Sequence, residues 1–183
     1  PSRSGRFEGF IGLAGNLADS NDALFTYYPN APSNKPKWAQ PSTVMTSVGL
    51  LTSLYLGKNR DDQAIRHGAD HLLENLPSYE ADGPAAGIGS SGNPRRDTYY
   101  WYYGTQVMFH MRGEHWKAWN EQLHPLIVNA QTTNGPLAGS WNPFWQATDR
   151  WAGVGGRLYV STMNLLSLEV YYRHLPLHEA TAQ

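Results

Sequence analysis

Apolar positions along the chain fall into two kinds of block, and the kinds alternate. From about Thr43 to Leu56, Val44, Met45, Val48, Leu50, Leu51, Leu54, Tyr55 and Leu56 fall all around a helical wheel, with no charge in the interior. Such a block predicts a helix buried on every side. Ser42 or Thr43 can cap its start and Gly57 can end it. From about Asp61 to Leu76 the pattern changes: Ile65, Ala69, Leu72, Leu73 and Leu76 form one stripe, and Gln63, Arg66, Asp70 and Glu74 lie off it. This block predicts a helix with one wet face, its acidic start favoured by the helix dipole. The third block begins near Asp97, a good cap, and reaches about Met111. Its run Tyr99, Tyr100, Trp101, Tyr102 and Tyr103 covers every direction of the wheel, so it too should be buried. The fourth runs from about Glu114 to Gln131 on a stripe of Trp116, Trp119, Leu123, Leu126, Ile127 and Ala130. Pro125 lies inside it and should kink or split it. The fifth, about Arg157 to His174, is apolar all round again, through Leu158, Val160, Met163, Leu165, Leu166, Leu168, Val170 and Tyr171.

The order is therefore buried, amphipathic, buried, amphipathic, buried. An all-α protein in two layers explains it: inner helices touch neighbours on both sides, and outer helices show water one face. Residues 1–42 read as an irregular N-terminal segment, 43–177 as a domain of helical hairpins and 178–183 as a tail. Gly- and Pro-rich loops at 78–96 and 132–156 separate the hairpins. The apolar helices start roughly 50 to 60 residues apart, a period that signals a repeat architecture.

Charge and composition narrow the function classes. The 14 Lys and Arg nearly balance the 15 Asp and Glu, so no basic surface argues for nucleic acid. With no cysteine, disulfides, thiolate nucleophiles and Cys-ligated zinc are excluded. No stretch approaches the roughly 18 apolar residues of a membrane span. The chain opens on Pro1 without a Met and reads as a processed product or a fragment of a longer protein; its composition assigns no compartment.

Several segments resemble the α/α-toroid proteins with prenyltransferase and squalene-cyclase repeats. Leu123-His124-Pro125-Leu126-Ile127-Val128-Asn129-Ala130-Gln131, followed by Gly135 and Gly139-Ser140-Trp141, looks like that family's signature: an apolar outer helix, a Gln, then Gly-x-Trp in the turn. Val44 to Leu51 and Tyr99 to Gln106 look like inner helices. Gly155-Gly156-Arg157-Leu158-Tyr159 with Glu169-Val170-Tyr171-Tyr172-Arg173 is similar to the last repeat of uncharacterised bacterial members, which are terpenoid cyclase-like in fold. The resemblance covers roughly residues 40 to 177 and implies an α/α toroid. A full ring of that family has about six hairpins; the two and a half here imply an incomplete ring. The signature also implies a structural role for Gln131 and Trp141 at a helix end.

The family's reactive signatures do not carry over. Asp61-Asp62 is a pair rather than an Asp-x-Asp-Asp cluster, and it sits where a helix start favours negative charge. No Asp-Asp-x-x-Asp is present to hold diphosphate through magnesium, and the zinc site of the protein prenyltransferases needs a cysteine. His67 and His71 share a helix face, but no third ligand is apparent, so neither a metal nor a cofactor is expected. No catalytic residue is assigned.

The aromatic helix is the best functional candidate. In a toroid the N-terminal ends of inner helices border the central cavity. Tyr99, Tyr102 and Tyr103, with Asp97 and Arg96 at the entrance and Trp141 nearby, are the candidate ligand-binding residues, and aromatic faces suit a small apolar or sugar ligand. Plain core packing is the competing account of the same rings. The expected function is non-catalytic binding of a ligand or protein; the alternative is a terpenoid cyclase-like or polysaccharide lyase-like enzyme with an aromatic-lined cavity. Self-association is a further expectation, because an open ring exposes apolar inner helices.

Overall fold

The computed structural model describes residues 24–25, 42–79, 96–170 and 172. The irregular segment expected at 1–42 lies outside them except for Leu24, Phe25 and Ser42, as do the Gly-rich turn at 87–92 and the tail at 178–183. The described residues form five helices and no strand: α1 Thr43–Tyr55, α2 Gln63–Glu74, α3 Thr98–Met111, α4 Gly113–Asn129 and α5 Ala152–Leu168. None is long and apolar enough to cross a membrane.

The caps of α1 and α3 follow the sequence signals, whereas the Asp62 side chain at the start of α2 makes no cap hydrogen bond. Ser42 caps α1, its side chain accepting from the Met45 amide, and the chain leaves that helix through Gly57 at φ 92°, a left-handed geometry that costs glycine little. Asp97 caps α3. The stripes of α2 and α4 are buried as expected, with Ile65, Ala69 and Leu72 on one and Trp119, Leu123 and Ile127 on the other.

Three expectations need correction. The α4 helix is neither split nor ended by Pro125. Pro125 and Glu121, whose carbonyl loses its partner amide, are both exposed, so water can take that hydrogen bond. Nor is α1 buried on every side: Tyr55 and Leu56 are exposed, and Val44, Met45 and Val48 are only half-buried. Its most buried face holds Thr46, Ser47, Gly49 and Leu50. Small residues there let neighbours come close; a Cβ on Gly49 would stand 2.2 Å from the Phe25 ring. Finally, α5 begins at Ala152, ahead of Arg157, and bends at Gly156, where φ is 57°. Apolar residues on it stay uncovered: Val154, Leu158 and Leu165 are 72%, 80% and 52% exposed, as is Tyr172 beyond its end at 82%. An apolar pattern all round a helix says that it can be buried, not that a neighbour is there.

The α3 helix is the hub and touches each of the other four. Its main neighbours are α1, α4 and α5, and α2 packs chiefly on α1 and also touches α4. The α3–α4 contact closes on Gly104, where an added Cβ would meet the Trp119 ring at 2.5 Å. The Trp119 indole N–H donates to Thr105 Oγ1 (3.1 Å), and that hydroxyl donates back to the Trp101 carbonyl (2.6 Å). Trp101, Trp119, Leu50, Leu72 and Val107, all fully buried, sit at the centre of this core. At the α1–α2 contact, Leu50 lies over Gly68 in the same way.

Candidate functional site

The start of α3 is held by two buried carboxylates from distant parts of the chain. Asp97 Oδ1 accepts from the Tyr99 and Tyr100 amides, the helix's own cap. Asp149 supplies a second cap: its Oδ2 accepts from the Thr98 amide at 3.0 Å, and its Oδ1 accepts from the Trp151 amide at 2.9 Å. Asp149 thus fastens the 142–151 loop to the first turn of α3. Arg150 follows it, with Nη1 3.7 Å from Asp97 Oδ2. Both aspartates are sealed from solvent.

Burial raises the Asp97 pKa to about 7, and the neighbouring Asp149 carboxylate adds to the rise; Arg150 and the two amides only partly oppose it. A carboxyl with a raised folded pKa favours folding most at low pH. Its contribution is complete below the unfolded value near 3.8 and is lost as pH climbs to about 7. Asp97→Asn keeps the cap but does not titrate. The stability of the wild type relative to Asp97→Asn should therefore fall between pH 4 and 7, as read from urea unfolding at a series of pH values; a flat difference would contradict the burial described.

Half-buried rings surround this charged centre. Tyr99 lies 4.7 Å from Tyr103 and 6.4 Å from Trp151 between ring centroids, and Tyr102 lies 5.0 Å from Tyr103. The Tyr159 hydroxyl from α5 faces the same group: burial raises its pKa, and Asp97, Asp149, Tyr99 and Tyr103 push it further up. The Arg150 guanidinium lies over the Trp151 ring at 5.8 Å. These contacts bring together Asp97, Tyr99, Tyr102 and Tyr103 among the residues singled out from sequence.

The other two are engaged elsewhere. Arg96 is buried, and its guanidinium donates to the carbonyls of Asn142 (2.6 Å), Trp145 and Ala147 while lying 5.0 Å over the Tyr79 ring. Burial pushes the Tyr79 hydroxyl up to about 12, against the pull of Arg96. That hydroxyl donates to the Leu126 carbonyl. Trp141 is buried, and its indole N–H donates to the Ile127 carbonyl at 2.7 Å. Gln131 pairs with it in an isolated antiparallel bridge and donates through Nε2 to the Gly139 carbonyl. Both side chains of the Gln and Gly-x-Trp signature thus bond backbone at the end of α4.

No family model, curated protein or solved structure matches the chain. The site rests on geometry alone. Sequence reading did not single out Asp149, Arg150 or Tyr159. Asp149-Arg150 is a charged pair in an otherwise Trp-rich loop, the one local sign that the loop does more than cover an end. Among the described residues no three His, Cys, Asp or Glu side chains are grouped to hold a metal ion.

Proposed function

We propose that the chain is part of an α/α-hairpin ring of the prenyltransferase and squalene-cyclase-repeat kind, and that it binds a small ligand at the start of α3 without transforming it. The observation that carries the reading is the convergence of half-exposed rings, Tyr99, Tyr102, Tyr103, Trp151 and Tyr159, over a buried polar centre. Such a mix of apolar walls and few convergent polar groups suits ligand binding. The ring part of the reading is supported by the contacts between helices: α1 packs with α2 and α3 with α4 as consecutive pairs, and α3 packs on both α1 and α5. An uncovered apolar side on α5 is what the last inner helix of an incomplete ring would show. Both Asp149 oxygens are already engaged by amides, which favours binding over proton transfer.

One feature favours the second reading, an enzyme of the cyclase or lyase kind: burial and the neighbouring Asp149 raise the Asp97 pKa to about 7, so a fraction of its carboxyls is protonated in neutral solution. A single experiment separates the two. The protein is incubated with geranylgeranyl diphosphate, squalene or oligogalacturonate, and both thermal stability and product are followed. Binding without chemistry raises Tm for one class, returns the ligand intact, and disappears in the Tyr99→Ala/Tyr103→Ala variant. A product that vanishes in Asp97→Asn would establish the enzyme reading instead, and no shift with any ligand would remove the binding reading.

A further inference from the structure

Asn134-Gly135 stands in the turn that follows α4, and it is the one Asn-Gly step in the sequence. Asn93 and Asn142 precede proline, which has no N–H, and every other Asn precedes a residue with a β-carbon. A glycine in the next position leaves the asparagine carboxamide unshielded from attack by the following backbone nitrogen. The turn itself favours glycine there: Gly135 has φ 75°, a left-handed geometry in which a side chain is strained.

A fold slows this attack by tying up the nucleophilic amide or by fixing the carboxamide, and here it does neither. Residues 133–139 are all exposed. The turn is closed beneath them, where the Thr132 amide donates to the Ser140 carbonyl and the Gly139 amide to the Thr132 carbonyl, both at 2.8 Å. The Gly135 amide donates to no group among the described residues. The Asn134 carboxamide is bonded only to its neighbour, Nδ2 donating to Thr133 Oγ1 at 3.2 Å, and that bond is exposed to water.

We propose that Asn134 is a site of spontaneous covalent modification, converted in the folded protein to aspartyl and isoaspartyl residues. The Gly135 nitrogen gives its proton to solvent and bonds to Asn134 Cγ. The Cγ–Nδ2 bond breaks, and the leaving nitrogen takes up a proton and departs as ammonia. Water then opens the five-membered imide. Breaking the bond from nitrogen to Cγ gives aspartate. Breaking the bond from nitrogen to the Asn134 backbone carbonyl carbon gives isoaspartate, with the main chain rerouted through Cγ. Either way a carboxylate replaces a neutral amide. The hydrogen bonds that close the turn lie on residues 132, 139 and 140, so the extra main-chain atom falls in the exposed tip. The Gln131–Trp141 pairing stays in place.

The full chain is stored in mildly alkaline buffer, either native or unfolded in guanidinium chloride, and then mapped by peptide mass. The native chain should lose the Asn134 amide before that of any other Asn. An acidic species should grow on anion exchange, and its peptide should carry the mass gain of amide to acid and split into two isomers. Asn134→Gln should abolish that species, because the longer side chain closes a larger ring that forms far more slowly. The separated acidic species should unfold at the parent's urea midpoint; a lowered midpoint would overturn the placing of the new group outside the packed structure. A native chain that keeps the Asn134 amide while the unfolded chain loses it overturns the proposal, because the fold then protects the site. An acidic species that grows as fast in Asn134→Gln, or no conversion in either chain, overturns it as well.

Discussion

Trp119→Ala should lower the free energy of unfolding by about 3–5 kcal/mol, the range for removing a large buried ring. Urea unfolding followed by circular dichroism gives the number. The side chain is fully buried. Its ring meets Tyr100 edge to face with centroids 5.6 Å apart, and its N–H is the link from α4 to Thr105 on α3. Removing it leaves a void between the two helices and takes a hydrogen bond from a buried hydroxyl. The same contact makes a second result specific. Gly104→Ala places a methyl 2.5 Å from the Trp119 ring and should cost about 1–3 kcal/mol as an overpacked contact. In a Trp119→Leu background the added methyl has room, so its cost should shrink; the two changes touch and are not additive. An unchanged cost for Gly104→Ala in that background would show that the helices are not spaced by this ring.

Arg96→Ala should be nearly as severe, with a loss of at least ~3 kcal/mol. One guanidinium serves the carbonyls of Asn142, Trp145 and Ala147. Charge-assisted hydrogen bonds are each worth about 1.5–3 kcal/mol, and bonds that share one donor group do not add. Arg96→Lys should restore less than half of the loss, because an ammonium cannot reproduce the planar fork that spans several acceptors. The failure should begin locally. Limited proteolysis of Arg96→Ala should cut within residues 142–150 at concentrations that leave the parent protein intact. A variant that melts early but resists cleavage there would mean that Arg96 acts on α3 rather than on the loop.

The amphipathic helices were readable because a stripe names its own buried face: the Ile65, Ala69, Leu72 row and the Trp119, Leu123, Ile127 row are the ones in the core. The apolar helices carry no such sign. Leu158 and Leu165 on α5 are uncovered while Asn164 and Ser167 on the same helix are buried. On α1, Thr46, Ser47 and Gly49 take the inner side. These small residues are chosen for how closely a neighbour can approach, which hydropathy does not record. The site divides in the same way. Asp97, Tyr99 and Tyr103 belong to one helix start, so capping and aromatic clustering point to them together. Asp149 reaches Thr98 across 51 residues, and no local pattern encodes that pairing. Arg96 and Trp141 have the right chemistry for a site, but both hold backbone carbonyls; residue type alone does not tell a ligand contact from a loop fastener.

The Asp149 cap also bears on the order in which the chain can assemble during synthesis. On a ribosome all of α3 is made before Asp149 exists, so the Thr98 amide must wait for its carboxylate. Arg96 waits likewise for the Ala147 carbonyl, 51 residues on. Until then the hub helix has only its own Asp97 cap and lacks its α5 neighbour. The helix that every other helix leans on is therefore finished late, and the growing chain carries its Tyr- and Trp-rich surface uncovered until the 142–151 loop arrives.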